Sequence, residues 1–196
     1  MQITVHSNVD AVRQRMSALQ RRQLPFATSL ALTQTVRDAK AVMDRKLDIV
    51  IDQPTPFTKR GIAIRAARKT MLTASVFFKD IQARYLKLQE TGGIRYPRRR
   101  ALVIPSERQT NKYGNLPRGR IKRLLARKDV FSGTVKGVPG IWQRMKRGGV
   151  KLLVAYEAKA RYEPRLQADE TIRPVLVRRF PANFFAGLRR ALASAR

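Results

Sequence analysis

The chain has 196 residues, 43% of them hydrophobic, enough for a buried core and too many for global disorder. Forty-two lysines and arginines against 13 acids give a formal charge of +29, which a compact molecule tolerates best beside a polyanion or acidic partners. Cysteine is absent, which excludes disulfide frameworks, thiolate zinc sites and cysteine nucleophiles.

At the N-terminus, Ile3 and Val5 alternate with polar residues, so Gln2 to His6 predicts a short strand. No basic-then-apolar leader pattern is visible there, and no apolar run nears the roughly 20 residues that span a bilayer. A cytoplasmic product without a membrane partner is expected. Ser7 or Asn8 can cap a helix reaching about Arg22, with Val9, Val12, Met16 and Leu19 as its stripe. Pro25 suits the first turn of a second helix through Val50. Leu32, Val36, Ala39, Met43, Leu47 and Val50 recur at steps of three or four and describe its core face.

Gln53-Pro54-Thr55-Pro56 ends that helix. Ile62 to Arg65 and Ala74 to Phe78 then predict an antiparallel hairpin, turning near Arg68-Lys69-Thr70. Ile81 to Thr91 predicts a short helix with Ile81, Tyr85 and Leu88 on one face, stopped by Gly92-Gly93.

From Ile94 to Lys128 the chain carries twelve basic residues and a single acid, Glu107. We read about 95–128 as an insertion: a polar loop, then a basic helix from about Arg120 to Arg127. Strand signals return at 130–135, 140–145 and 150–156, with Gly137, Pro139 and Gly148-Gly149 at the turns. A last helix is expected from about Pro181, with Phe184, Phe185, Leu188 and Leu192 on one face. The fold class expected is α+β in one domain, 1–196. Its N-terminal helices and C-terminal helix pack on an antiparallel β-sheet, with the long basic insertion projecting.

Catalytic chemistry is sparse. His6 is the one histidine and lacks the partner set that acid–base or metal chemistry needs. No phosphate-binding glycine loop has the required spacing. Asp44, Asp48 and Asp52 lie four apart, which on a basic protein suggests a two-metal nuclease. The competing expectation is a solvated face whose carboxylates meet Lys40, Arg45 or a neighbouring subunit. No cofactor, metal or catalytic residue is expected.

The binding candidates are basic. Arg95, Arg98, Arg99 and Arg100, interleaved with Tyr96, suit phosphate contacts; Arg118, Arg120, Lys122, Arg123 and Arg127 suit a cationic helix face. Such contacts give salt-sensitive affinity without sequence preference. Acidic neighbouring subunits are the other expected targets. Trp142, Phe184 and Phe185 are expected in the core or at an interface, and Glu90 in a structural or interface role.

Val138-Pro139-Gly140-Ile141-Trp142-Gln143-Arg144-Met145, the strand ending Val154-Ala155-Tyr156, Ile172-Arg173-Pro174-Val175 and the helix of Phe184, Phe185 and Leu188 carry a resemblance. In this order, after two N-terminal helices and a basic middle, they resemble the minor tail protein Z family of long-tailed phages. That family falls within the tail-completion, or head–tail joining, proteins. The run from Tyr85 to Gly93 likewise resembles that group's helix ending in acid, small residue, glycine.

The resemblance implies that the Trp142 strand lies in the sheet and the terminal helix packs across it. It implies a non-enzymatic virion protein in the tail or neck, assembled in the host cytoplasm. There it would form a homo-oligomeric ring, most naturally a hexamer, between a tail terminator or tail tube protein and the head connector. The ring would surround a channel for double-stranded DNA. Alternatives from the residues alone are a ribosomal-type RNA-binding protein and, behind it, a DNA-processing nuclease on Asp44 and Asp48.

Overall fold

The computed structural model describes residues 2–6 and 18–194, an α+β arrangement with three antiparallel sheets. Most of the expected first helix, residues 7–17 with Val9, Val12 and Met16, lies outside the described residues.

Strand β1 (Gln2–His6) is as expected. Helix α1 (Ala18–Val50) runs 33 residues, about 50 Å at 1.5 Å per residue. It passes through Pro25 instead of starting there. The missing amide donor is tolerated because Leu24, Ala27 and Ala31 around it are buried, and tertiary packing outweighs one lost hydrogen bond. The predicted stripe is the core: Leu32, Val36, Ala39, Met43 and Leu47 are buried. Thr28 and Thr35 are buried among them, and their hydroxyls donate to the Leu24 and Ala31 carbonyls at 2.8 Å.

Helix α2 (Pro56–Lys59) is capped by Thr55, whose hydroxyl accepts the Thr58 amide at 3.1 Å. Strands β2 (Ile62–Arg65) and β3 (Thr73–Phe78) form the predicted hairpin, and β1 adds on the other side in the order β1-β3-β2. Ile62, Ala74 and Val76 face α1 across this sheet.

Helix α3 (Asp80–Thr91) begins one residue before the expected span. Gln82 and Leu86 are its buried residues, while Ile81 is 62% and Tyr85 43% exposed. The Ile81–Tyr85–Leu88 stripe is real but faces outward. After it, β4 (Gly93–Arg95) pairs with β9 (Ala160–Tyr162) as a two-stranded ribbon.

The expected loop in the basic middle contains β5 (Leu102–Pro105), an edge strand of a four-stranded sheet. Four consecutive apolar residues, Ala101 to Ile104, between arginines and a proline show no period-two alternation. Pro105 fits the edge: Ser106 donates to the Leu153 carbonyl at 2.9 Å, so the alternate residue Pro105 turns its nitrogen away from the ladder. Helix α4 (Arg120–Leu125) follows, then the predicted meander of β6 (Val130–Val135), β7 (Val138–Arg144) and β8 (Val150–Glu157). The sheet order is β5-β8-β7-β6. Leu124 of α4 closes a second core with Val130, Ile141, Leu153 and Val154. Gly140 is required there, since a Cβ would overlap the Val154 carbonyl.

Helix α5 (Ala168–Ala193) begins well before the expected Pro181 and contains both Pro174 and Pro181. Asp169 and Glu170 in its first turn were the true start signal, because acids favour the positive end of the helix dipole. Its buried residues, Ala168, Ile172, Leu176, Gly187 and Ala191, pack on α1 and the first core. Phe184 is half-buried, whereas Phe185, one residue or 100° further round, is 63% exposed and Leu192 42%. The sequence puts both on one face with Phe184, and Phe185 in the core or at an interface; the fold leaves both outside the core. Trp142 does lie in a sheet and is buried, but α5 packs with α1 and β1-β3-β2, not across the sheet of Trp142.

Candidate nucleic-acid interface

The basic candidates divide into two groups with different surroundings. In the α4 group, Arg120 donates twice to the Gln109 Oε1, at 3.1 and 2.9 Å, and Gln109 is buried. Arg127 donates to both Asp129 oxygens, at 3.0 and 2.6 Å, and Gln143 donates to the same carboxylate at 2.8 Å. These hydrogen bonds hold the Asp129 carboxyl below its ordinary range, the Arg127 bond contributing most, and hold Arg127 above its own. Arg123 donates to the Arg118 carbonyl at 3.4 Å. Arg120 therefore ties α4 to the loop before it, and Arg127 ties the end of the segment through Asp129 to Gln143 of β7. Lys122 and Arg123 remain exposed on α4, as does Arg118 before it.

The Arg95 group is different. Arg95, Arg98, Arg99 and Arg100 are exposed, and their side chains make no hydrogen bond or ion pair among the described residues. Three of the four line an open groove of about 800 Å³ between α3, the β4–β9 ribbon and β5. Ribbon register explains two of its walls. Arg95 lies opposite Ala160 and Gly93 opposite Tyr162, so Arg95 and Tyr162 share one ribbon face, and both line the groove. Helix α3 supplies Ile81, Arg84, Tyr85 and Leu88, at i, i+3, i+4 and i+7, on the stripe that faces away from the core. The Tyr85 hydroxyl donates to Thr58 Oγ1 at 3.0 Å, which fixes the ring. Tyr96, 65% exposed, forms part of the rim.

Four arginines (Arg84, Arg95, Arg98, Arg99) and three tyrosines thus meet in one concavity whose lining contains no carboxylate. Sequence reading found Arg95, Arg98, Arg99, Tyr85 and Tyr96, but not Arg84 or Tyr162. Arg84 could have been found at the third position of the Ile81 stripe. Tyr162 could not, because only the β4–β9 register brings it there.

No known protein family, curated protein or solved structure matches this chain.

Of the remaining candidates, Glu90, Trp142 and Phe184 serve the scaffold. Both Glu90 oxygens accept the Ala168 amide, at 3.1 and 3.0 Å, at the start of α5. Trp142 is buried in β7, opposite Phe131 and Leu152, with no partner for Nε1 among the described residues. Phe184 meets Phe180 and Phe185 with ring centroids 6.0 and 6.2 Å apart. Asp44 pairs with Lys40 at 2.6 Å and Asp48 with Lys59 at 2.7 Å, as the solvated-face expectation has it for Lys40. Among the described residues no three histidines or carboxylates gather as a metal site, and no helix is long and apolar enough to cross a membrane.

Proposed function

We propose that this protein is a structural component of a virion that contacts nucleic acid. On this reading it completes the head-proximal end of a long phage tail as a ring around the DNA channel. The observation that carries the nucleic-acid half is the groove of unpaired arginines without a carboxylate, on a chain of net charge +29. Arginine forks suit phosphate geometry, and many uncompensated cations give affinity through counterion release.

The assembly half rests on the resemblance to tail-completion proteins and on an apolar stripe left outside. Val177, Phe185 and Leu192 are 72%, 63% and 42% exposed on α5 and fall within one face of the helix. A stripe of this kind suits a subunit contact, and a ring needs two different patches that meet head to tail. Mass measurement and imaging of the purified protein, alone and with tail tubes, test this. A ring at the tube end is expected; a protein that stays monomeric and never joins tails removes the assignment. A ribosomal-type RNA-binding role is the second reading, favoured by the tyrosines of the groove. Co-purification with ribosomal particles instead of tails would replace the first. Lysine pairing of Asp44 and Asp48 weighs against the nuclease.

A further inference from the structure

We infer that the groove between α3, the β4–β9 ribbon and β5 is a seat for unpaired nucleotides, and not for duplex DNA. This rests on the nucleic-acid half of the proposed function and is independent of the ring.

Two features select the ligand. The first is size. At about 800 Å³ the groove falls in the class of small-ligand sites, roughly 300–1,000 Å³, which is room for a few bases. The second is chemistry. Three of the five tyrosines in the chain line this one concavity, beside four arginines. In a duplex the base faces are stacked on one another and cannot meet a tyrosine inside a cleft. An unpaired strand presents those faces, and aromatic platforms flanked by phosphate-binding cations are the usual means of holding it.

The arrangement is also pre-set. Tyr85 is anchored through Thr58, and Tyr162 is placed on the ribbon opposite Gly93, where no side chain crowds it. Apolar walls from Ile81, Leu88 and Leu102 suit the faces of unpaired bases. A second copy of this chain is a poor occupant, because a net charge of +29 opposes its own arginine groove.

The test uses the full-length protein and fluorescence anisotropy at matched salt. The probes are a labelled twelve-nucleotide oligothymidylate, a twelve-unit abasic phosphodiester strand and a twelve-base-pair duplex. The oligothymidylate should bind roughly tenfold more tightly than the abasic strand, which has the same charge and no bases. It should also outbind the duplex. Tyr96→Ala, at an exposed position, should remove most of that margin, and Tyr96→Phe should keep it. Equal binding of the oligothymidylate and abasic strands, or an unaltered Tyr96→Ala, overturns the seat while leaving charge-driven nucleic-acid contact intact. Displacement of the oligothymidylate by polyglutamate as effectively as by unlabelled oligothymidylate would make the groove an acidic-peptide site instead. Failure of all three nucleic-acid probes to bind at low salt would sink the nucleic-acid reading and this seat together.

Discussion

Glu90, at the end of α3, accepts the backbone amide of Ala168 through both carboxylate oxygens and so caps the start of α5 across 78 residues of chain. The neighbouring Gln89 carbonyl accepts the Arg165 and Leu166 amides at 2.8 Å each. The C-terminal end of α3 is thus the mooring of the last helix, and Ala168 is buried beneath it. Glu90→Ala leaves that buried donor unsatisfied and removes a negative charge from the helix N-terminus. It should lower stability by about 1–3 kcal/mol in urea unfolding. Glu90→Gln keeps an acceptor and should lose less. Equal stability of the alanine variant and wild type would show that water replaces the cap at no cost.

Gly187 sets the distance between the two long helices. A Cβ there would lie 2.7 Å from the Ala27 carbonyl oxygen, which belongs to backbone and has little room to shift. Alanine would gain up to about 1 kcal/mol in helix propensity, but overpacking typically costs about 1–3 kcal/mol. Gly187→Ala is therefore expected to be net destabilising, and Gly187→Val more so. Thermal unfolding that shows Gly187→Ala more stable than wild type would contradict this spacing of α1 and α5.

Much of the framework was legible from local pattern. The α1 stripe from Leu32 to Leu47, the hairpin of β2 and β3, and the meander all depend on periodicity within a single element, which sequence displays directly. The failures concern which face the rest of the fold selects. Helix α3 carries two candidate stripes one residue apart, and the fold buries Gln82 and Leu86 while leaving Ile81 and Tyr85 outside. The start of α5 is obscured in sequence because Pro181 resembles a helix opening, although the acids at Asp169 and Glu170 mark the real one. The groove was only half legible: its arginines stand out in sequence, while Arg84 and Tyr162 arrive through helix phase and strand register.

The Arg127–Asp129–Gln143 cluster makes a pH-dependent contribution with a definite sign. The folded Asp129 carboxyl is held below its ordinary range, so its stabilisation is present above the unfolded value and is lost as pH falls through the folded one. Arg127 stays charged across that window and adds no slope of its own there. Asp129→Asn should be less stable than wild type near neutrality, and the gap should close on acidification. A gap that stays constant from neutral to acid pH would mean that the pairing contributes nothing through its charge.

The cations of the β4–β5 connection should act on ligand and not on fold. Arg98, Arg99 and Arg100 are exposed and make no bond among the described residues, so replacing all three with serine should leave the unfolding midpoint close to wild type. If they meet phosphates, the slope of log affinity for single-stranded DNA against log salt should become shallower by up to about 2, at roughly 0.7 per contact. Affinity should fall for all DNA sequences alike, because phosphate contacts carry no base information. An unchanged slope would place these arginines against protein, and titration with an acidic tail component would then be the experiment to follow.

The exposed stripe on α5 separates assembly from nucleic-acid contact. Phe185 is 63% exposed and meets the half-buried Phe184 edge to face, so Phe185→Ser should cost the isolated chain little. In a ring, however, a large aromatic side chain at the centre of a subunit contact commonly accounts for 2 kcal/mol or more, at least about 30-fold in association. Sedimentation of Phe185→Ser together with Val177→Ser should therefore show dissociation at concentrations where the wild type is assembled, with duplex affinity per chain and its salt slope preserved. If both proteins sediment alike as rings, the contact lies on another face. If the substitutions unfold the chain, Phe185 belongs to the core despite its exposure.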